Sequence, residues 1–106
     1  ELHRFVRSCG GFAVLAHPFR YRDSIDVDYE TLRPDAVEAR SCNIEPHNES
    51  RIRQVAAAIS SGILYASDAH HEEDVGRFYI NLQGTADSDV VLVSLLRTRA
   101  YSLETG

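Results

Sequence analysis

Two apolar stretches of this sequence end in side chains that commonly bind metal ions. His17 follows FAVLA (12–16), and Asp68 and His70 follow ILYAS (63–67). Because Asp68 and His70 are two residues apart, an extended backbone would direct both side chains to one side, with Cα atoms about 7 Å apart. A carboxylate and an imidazole in this arrangement could share one cation, and the mixture suits zinc, manganese or iron better than calcium.

Each of these residues also has an ordinary structural explanation. A lone histidine before a proline can close a strand, which would account for His17. Aspartate after a strand is often a turn or cap residue, which would account for Asp68. His3, His47 and His71 are interpreted as solvated residues without a functional role.

Glu38 is an acid between Val37 and Ala39 in a short apolar run. Burying a carboxylate without a partner is costly, so this side chain needs an explanation. Two interpretations stay open: Glu38 faces the same site as Asp68, or it pairs with an arginine.

The apolar pattern predicts strands and helices in alternation. Continuous apolar runs predict strands at 12–16, 36–39 and 63–67, and an alternating run predicts a strand at 77–82. Apolar residues at helical spacing predict helices near 2–9, 52–59 and 87–100, with a short helix at 29–33 and a short final strand at 100–103. Such alternation is typical of an α/β fold built from βαβ units with a mainly parallel sheet.

The predicted sheet explains how residues distant in sequence could act together. The carboxyl ends of parallel strands lie at the same edge of a sheet, where α/β proteins bind their ligands. His17, Asp68 and His70 are therefore expected at one edge. At 106 residues, the chain is expected to form a single domain over 1–106.

Composition limits the classes of partner. The net charge is −5 at pH 7 and all 11 basic residues are arginine, so general nucleic-acid binding is not expected, although an arginine can bind phosphate locally. Cys9 and Cys42 form neither a disulfide framework nor a zinc knuckle and are interpreted as buried apolar residues. No segment is predicted to enter a membrane, and a cytoplasmic location is expected.

Three segments carry a resemblance to a known family. GGFAVLAHPFR, PDAVEARSCN with the NESRIRQVAAA helix, and ILYASDAHHEEDVGRFY occur in this order and cover nearly the whole chain. Together they resemble the C-terminal half of a PHP domain, the polymerase and histidinol phosphatase superfamily. The most specific parts are Ala16-His17-Pro18 and Ser67-Asp68-Ala69-His70, supported by Val75-Gly76-Arg77.

The resemblance implies a distorted (β/α) barrel of metal-dependent phosphoesterases. By the matching motifs, His17, Asp68 and His70 would be ligands of divalent metal ions, with zinc, manganese or iron as candidates. Glu38 falls where the family often has an acid, and Arg20 follows the His-Pro loop closely enough to contact a substrate phosphate. The implied substrate is a phosphorylated small molecule or a nucleotide.

The sequence also departs from the family pattern. It contains no His-x-His, the family's first metal motif. The chain is therefore expected to be the C-terminal portion of a PHP domain without the N-terminal metal-binding half, and to be inactive alone. Unpaired sheet edges would favour self-association.

Two other interpretations stay open. A PHP-like fold could act as a non-catalytic binding or scaffolding module. Alternatively, the chain is a plain α/β domain whose histidines coincide by chance, in which case His17 would lie far from Asp68 and His70.

Overall fold

Strands and helices alternate along the chain, as the apolar pattern predicted. The computed structural model describes residues 1–106. The α-helices are α1 (Leu2–Ser8), α2 (Tyr29–Leu32), α3 (Glu49–Ala58) and α4 (Asp89–Arg97). The strands are β1 (Val14–Leu15), β2 (Ala36–Arg40), β3 (Gly62–Tyr65), β4 (Phe78–Leu82) and β5 (Tyr101–Thr105). Two short 3-10 helices, Pro46–Asn48 and Glu72–Asp74, lie in the connections.

The first three strands form a parallel sheet in the order β1-β2-β3. Val14 lies beside Ala36, and Ala36 lies beside Gly62, so the three strands begin at one edge of the sheet and end at the other. The prediction of an α/β fold with a parallel sheet is confirmed. The strands form two separate sheets and not a closed barrel.

The second sheet corrects the expectation of parallel strands, because β4 and β5 pair antiparallel. Tyr101 of β5 lies beside Leu82, the last residue of β4, so the connection through α4 returns the chain to the end of β4 and β5 runs back along it. There the Gln83 amide donates to the Ala100 carbonyl at 2.8 Å.

Helix α3 covers one face of the parallel sheet and contributes Ile52 and Ala56 to the core. Side chains from β2, from α3 and from the segments flanking α3 form one buried cluster: Val37, Ala39, Ile44, Ile52, Ala56 and Ile59. The predicted apolar face of this helix is thus confirmed. Since alternate residues of a strand face opposite sides, Glu38 lies on the face of β2 away from α3.

Local capping explains where two of the helices begin. The Asp28 side chain accepts from the Thr31 amide ahead of α2, and the Ser88 hydroxyl accepts from the Val91 amide at the start of α4. Asn48 precedes α3 but does not cap it. Its Oδ1 instead accepts from Arg51 Nε at 2.9 Å.

Helix α1 forms where it was predicted, but two of its apolar side chains are exposed while Val6 is half-buried. Leu2 is 75% exposed and Phe5 is 66% exposed. Cys9 is also exposed, so its interpretation as a buried apolar residue is wrong, while Cys42 is half-buried. The helical spacing identified the element, but spacing carries no information about whether another element packs on it.

None of the helices has the length and apolar character needed to cross a membrane.

Candidate functional site

The carboxyl ends of β1, β2 and β3 bring the predicted residues to one edge of the sheet. Hydrogen bonds between the chain segments continue past β2 and β3, from the Ala66 amide to the Arg40 carbonyl at 3.1 Å and from the Cys42 amide to the Ser67 carbonyl at 3.0 Å. These bonds hold the segment after β2 beside Asp68. The expectation that the strand ends converge is confirmed.

Glu38 connects β2 to the segment that follows β1. It is 7% exposed, and its Oε1 accepts a hydrogen bond from the His17 backbone amide at 2.9 Å. It makes no ion pair with an arginine. Of the two interpretations left open by the sequence, the structure therefore supports the one in which Glu38 faces the strand-end site.

Burial raises the pKa of Glu38 above its usual 4.5, and the nearby Asp68 carboxylate adds to the increase. The His17 amide, the His17 side chain and the Ser41 hydroxyl oppose it. The Asp68 carboxylate is therefore close enough to Glu38 for the two negative charges to repel each other. The site therefore concentrates negative charge that favours a bound proton or cation.

Replacing Glu38 by glutamine is expected to stabilise the metal-free chain at pH 7 by about 1 kcal/mol, because it removes a buried charge and keeps an acceptor for the His17 amide. An acid with a raised folded-state pKa binds its proton more tightly when folded. In the natural chain, this group therefore adds stability as the pH falls from neutral through its folded-state pKa towards 4.5. Denaturant unfolding with a chelator, at pH 7 and pH 5, would measure both effects.

The exposed Glu45 gives a matched control for this prediction. Glu45→Gln should change the free energy of unfolding by less than about 0.5 kcal/mol and keep the natural pH dependence. A Glu38→Gln variant with that same behaviour would contradict the assignment of Glu38 as a costly buried charge.

Asp68 and His70 are held by the segment after β2. Asn43 Nδ2 donates to the Asp68 carboxylate at 2.8 Å and to the Asp68 carbonyl at 2.9 Å. His70 Nδ1 lies 2.9 Å from the same carbonyl. Because a carbonyl oxygen only accepts, this contact fits the tautomer with its proton on Nδ1; Asn43 Nδ2 also lies 3.3 Å from Nδ1.

The backbone at this edge adopts conformations that are uncommon for residues other than glycine. The φ angle is 48° at Asp68 and 23° at His17. Such outliers tend to occur where a site needs a particular side-chain direction. The left-handed turn at Asp68 also breaks the extended geometry that the sequence analysis assumed for Asp68 and His70.

Ser67 has a structural role in this turn. Its hydroxyl donates to the Phe78 carbonyl at 3.2 Å and accepts from the Gly76 amide at 3.1 Å. Both bonds tie the segment after β3 to the segment that leads into β4. Ser67 thus positions Asp68 without taking part in the site.

Arg20 lies beside Asp68, with NH1 3.7 Å from Oδ2. Its guanidinium also lies 5.0 Å from the centre of the Tyr21 ring. Arg20 Nε is buried and has no hydrogen-bond partner. The segment after β1 therefore places one positive charge against the acidic edge.

A cleft of about 540 Å³ adjoins Asn43 and His70. One side carries Arg40, which lies 4.7 Å from the centre of the Phe78 ring and pairs with Glu49. Arg77 also lines the cleft and makes no ion pair. The cleft that His70 lines therefore also contains a guanidinium without an acidic partner.

Sequence reasoning missed Asn43 and Arg77 as site residues. Asn43 follows β2 at the same edge as the other residues, and this position is the signal that could have identified it. Arg77 stands in the Val75-Gly76-Arg77 segment, but its sequence does not show that the side chain reaches the cleft.

The predicted ligands do not form a metal centre in their present orientation. No group of three His, Cys, Asp or Glu side chains is close enough together to hold one ion. The assignment of His17, Asp68 and His70 as ligands stays a prediction.

Comparison with protein-family models, curated proteins and solved structures returned no match.

Proposed function

We propose that this chain forms one edge of a metal-dependent phosphoesterase site, as the C-terminal part of a distorted (β/α) barrel of the PHP type. The observation that carries the proposal is the orientation of His70 beside Asp68. His70 Nδ1 lies 2.9 Å from the Asp68 carbonyl, which a proton on Nδ1 would satisfy, and Nε2 makes no hydrogen bond. Metal-binding histidines commonly donate their second ring N–H to a backbone carbonyl in this way.

The chemistry of the donor set fits a divalent cation. Glu38 is a buried carboxylate without an arginine partner, and Asp68 has a single arginine at 3.7 Å. Imidazole with carboxylate suits zinc, manganese or iron. His17, Asp68 and His70 are the proposed ligands, and Glu38 is proposed to add negative charge behind them.

A bound divalent cation would polarise a phosphoryl oxygen and lower the pKa of a water molecule. The residues of this chain would position the reacting groups. Asn43 holds the Asp68 carboxylate, and the Asp68 carbonyl holds the His70 ring. Arg20 and Arg77 are proposed to bind the phosphate of a phosphorylated small molecule or nucleotide, because a guanidinium offers paired N–H donors to phosphate oxygens.

The chain alone is proposed to have little activity. Catalytic metal sites usually have three protein ligands and an open position, and metal clusters need more. Because this sequence has no His-x-His, further ligands would come from another chain segment or protein.

A non-catalytic binding module is the second candidate function. It is favoured by the present contacts of Asp68, whose carboxylate is already held by Asn43 and Arg20. In that case, the acidic edge would be stabilised by its own amide and guanidinium groups and would need no ion.

Titration with Mn²⁺ and Zn²⁺, followed by calorimetry and by the unfolding temperature, tests the proposal. We expect binding with a dissociation constant below about 1 mM and a higher unfolding temperature when metal is in excess. Mg²⁺ and Ca²⁺ should bind more weakly, because they prefer oxygen ligands. If neither Mn²⁺ nor Zn²⁺ bound at millimolar concentration, the metal proposal would be overturned. The non-catalytic binding module would then be the remaining candidate function.

A further inference from the structure

A second cleft lies at the opposite edge of the parallel sheet, where the strands begin. Its volume is about 310 Å³, and its lining includes Phe12 before β1, Asp35 before β2 and Ser60 before β3. The strand-end site lies at the carboxyl ends of the same strands. The two locations are therefore separated by the length of the sheet.

Four guanidinium groups line this second cleft: Arg7, Arg33, Arg97 and Arg99. Asp35 is the single acid among the lining residues. Its carboxylate already accepts from the Ala13 amide at 2.8 Å and from Arg97 at 3.2 Å. Three positive charges are thus left without an acidic partner in a protein whose net charge is −5.

The contacts of these arginines leave most of their N–H groups free. Arg7 donates to the Arg33 carbonyl at 3.0 Å and Arg99 donates to the Ser60 carbonyl at 3.1 Å. Each guanidinium has five N–H donors, and each of these hydrogen bonds uses one donor of its own arginine. The bonds to backbone therefore orient the guanidinium groups and leave donors for a ligand.

Two of the arginines occupy backbone positions where glycine is the usual residue. Arg33 ends α2 with a φ of 51°, and Arg99 follows α4 with a φ of 57°. Left-handed residues at helix ends are most often glycine, because other residues are strained there. The fold would tolerate glycine at both positions, so the arginine side chains are not required by the backbone.

We propose that this arginine cleft binds a phosphate chain, either an inorganic oligophosphate or the phosphates of a nucleotide. A ligand with several negative charges matches three unpaired guanidinium groups, whose planar donor pairs fit phosphate oxygens. Phe12, Ile59 and Leu96 line the cleft beside the arginines and keep part of it apolar.

Calorimetric titration of the chain with tripolyphosphate, ATP and citrate tests the proposal. The titrations are done with a chelator and at low ionic strength, because salt screens exposed charges. We expect tripolyphosphate to bind with a dissociation constant below about 1 mM, and citrate to bind at least about tenfold more weakly. Tighter binding of ATP than of tripolyphosphate would identify a nucleotide as the ligand, and equal binding would identify the phosphate chain alone.

Arg33→Gly and Arg99→Gly should each weaken tripolyphosphate binding at least about tenfold, because each removes charge-assisted hydrogen bonds. Their unfolding temperatures should not fall, because glycine relieves the left-handed backbone. Arg22→Gln is the matched control, since this exposed arginine outside the cleft pairs only with Asp26 and its loss lowers the net charge equally. The proposal would be overturned if tripolyphosphate did not bind, or if citrate bound as tightly as tripolyphosphate. It would also be overturned if the glycine variants bound tripolyphosphate as tightly as Arg22→Gln does.

Discussion

His70→Gln is expected to weaken Mn²⁺ and Zn²⁺ binding about 100-fold or to abolish it, whereas His71→Gln should leave the affinity unchanged. The two histidines are adjacent and exposed, so both substitutions change the same chemistry at nearly the same place. They differ in one respect, which is that the His70 ring is held by the Asp68 carbonyl at 2.9 Å. Losing a metal ligand or a residue that positions one commonly costs 10–100-fold or more in affinity.

The measurement is a calorimetric titration of each variant, with the unfolding temperature recorded without metal. Both variants should unfold at the temperature of the natural chain, since exposed substitutions usually change stability by less than about 0.5 kcal/mol. Equal metal affinity in the two variants would contradict the assignment of His70. If His71→Gln weakened metal binding and His70→Gln did not, the ligand would be His71.

Strand ends were the most predictable part of the site. FAVLA and ILYAS are short apolar runs, and the side chains that follow them had to lie at one edge once the strands were parallel. Parallel strand order is enough to place the segments that contain His17, Asp68 and His70 at one edge, without any side-chain detail. It could not give the orientation of Asp68, because a φ of 48° is a consequence of local turn geometry.

Contacts between side chains distant in sequence could not be predicted. The position of Asn43 after β2 could have placed it at this edge, but its contact with the Asp68 carboxylate depends on the pairing of β2 with β3 and is not visible in the sequence. The role of Glu38 was predictable only in part. Its position between two apolar residues indicated burial, but only the contact with the His17 amide identifies the site that it faces.

Strands β4 and β5 and helix α1 show what the apolar pattern of the sequence does not predict, which is how elements pack against one another. The pattern at 87–100 predicted a helix, and α4 is there, but its connection returns β5 antiparallel to β4. Strand direction depends on how the connection between the strands returns, which local apolar periodicity does not specify. Helix α1 likewise has an apolar stripe, yet Leu2 and Phe5 stay exposed because no element covers them.

Ile52→Ala is expected to destabilise the chain by about 3 kcal/mol and to lower its unfolding temperature by about 15 °C. Ile52 has no exposed surface, and it packs in the cluster that includes Val37 and Ala39 of β2. The core is small, with 12 buried residues in the chain, so the remaining contacts can compensate little for a cavity. Thermal or denaturant unfolding would measure the loss, and Val90→Ala, at a residue that is 80% exposed, is the matched control.

The same substitution tests how the strand-end site depends on the core. Glu38 lies on β2 between Val37 and Ala39, so α3 supports from one face the strand that presents Glu38 on the other. Ile52→Val, which costs about 1 kcal/mol, should keep the fold and the metal affinity of the natural chain. Ile52→Ala should bind metal at temperatures where it is folded and lose binding as it unfolds. If a fully folded Ile52→Val chain lost metal affinity, packing under β2 would control the geometry of the site directly. That result would contradict a site whose geometry depends on the strand-end segments alone.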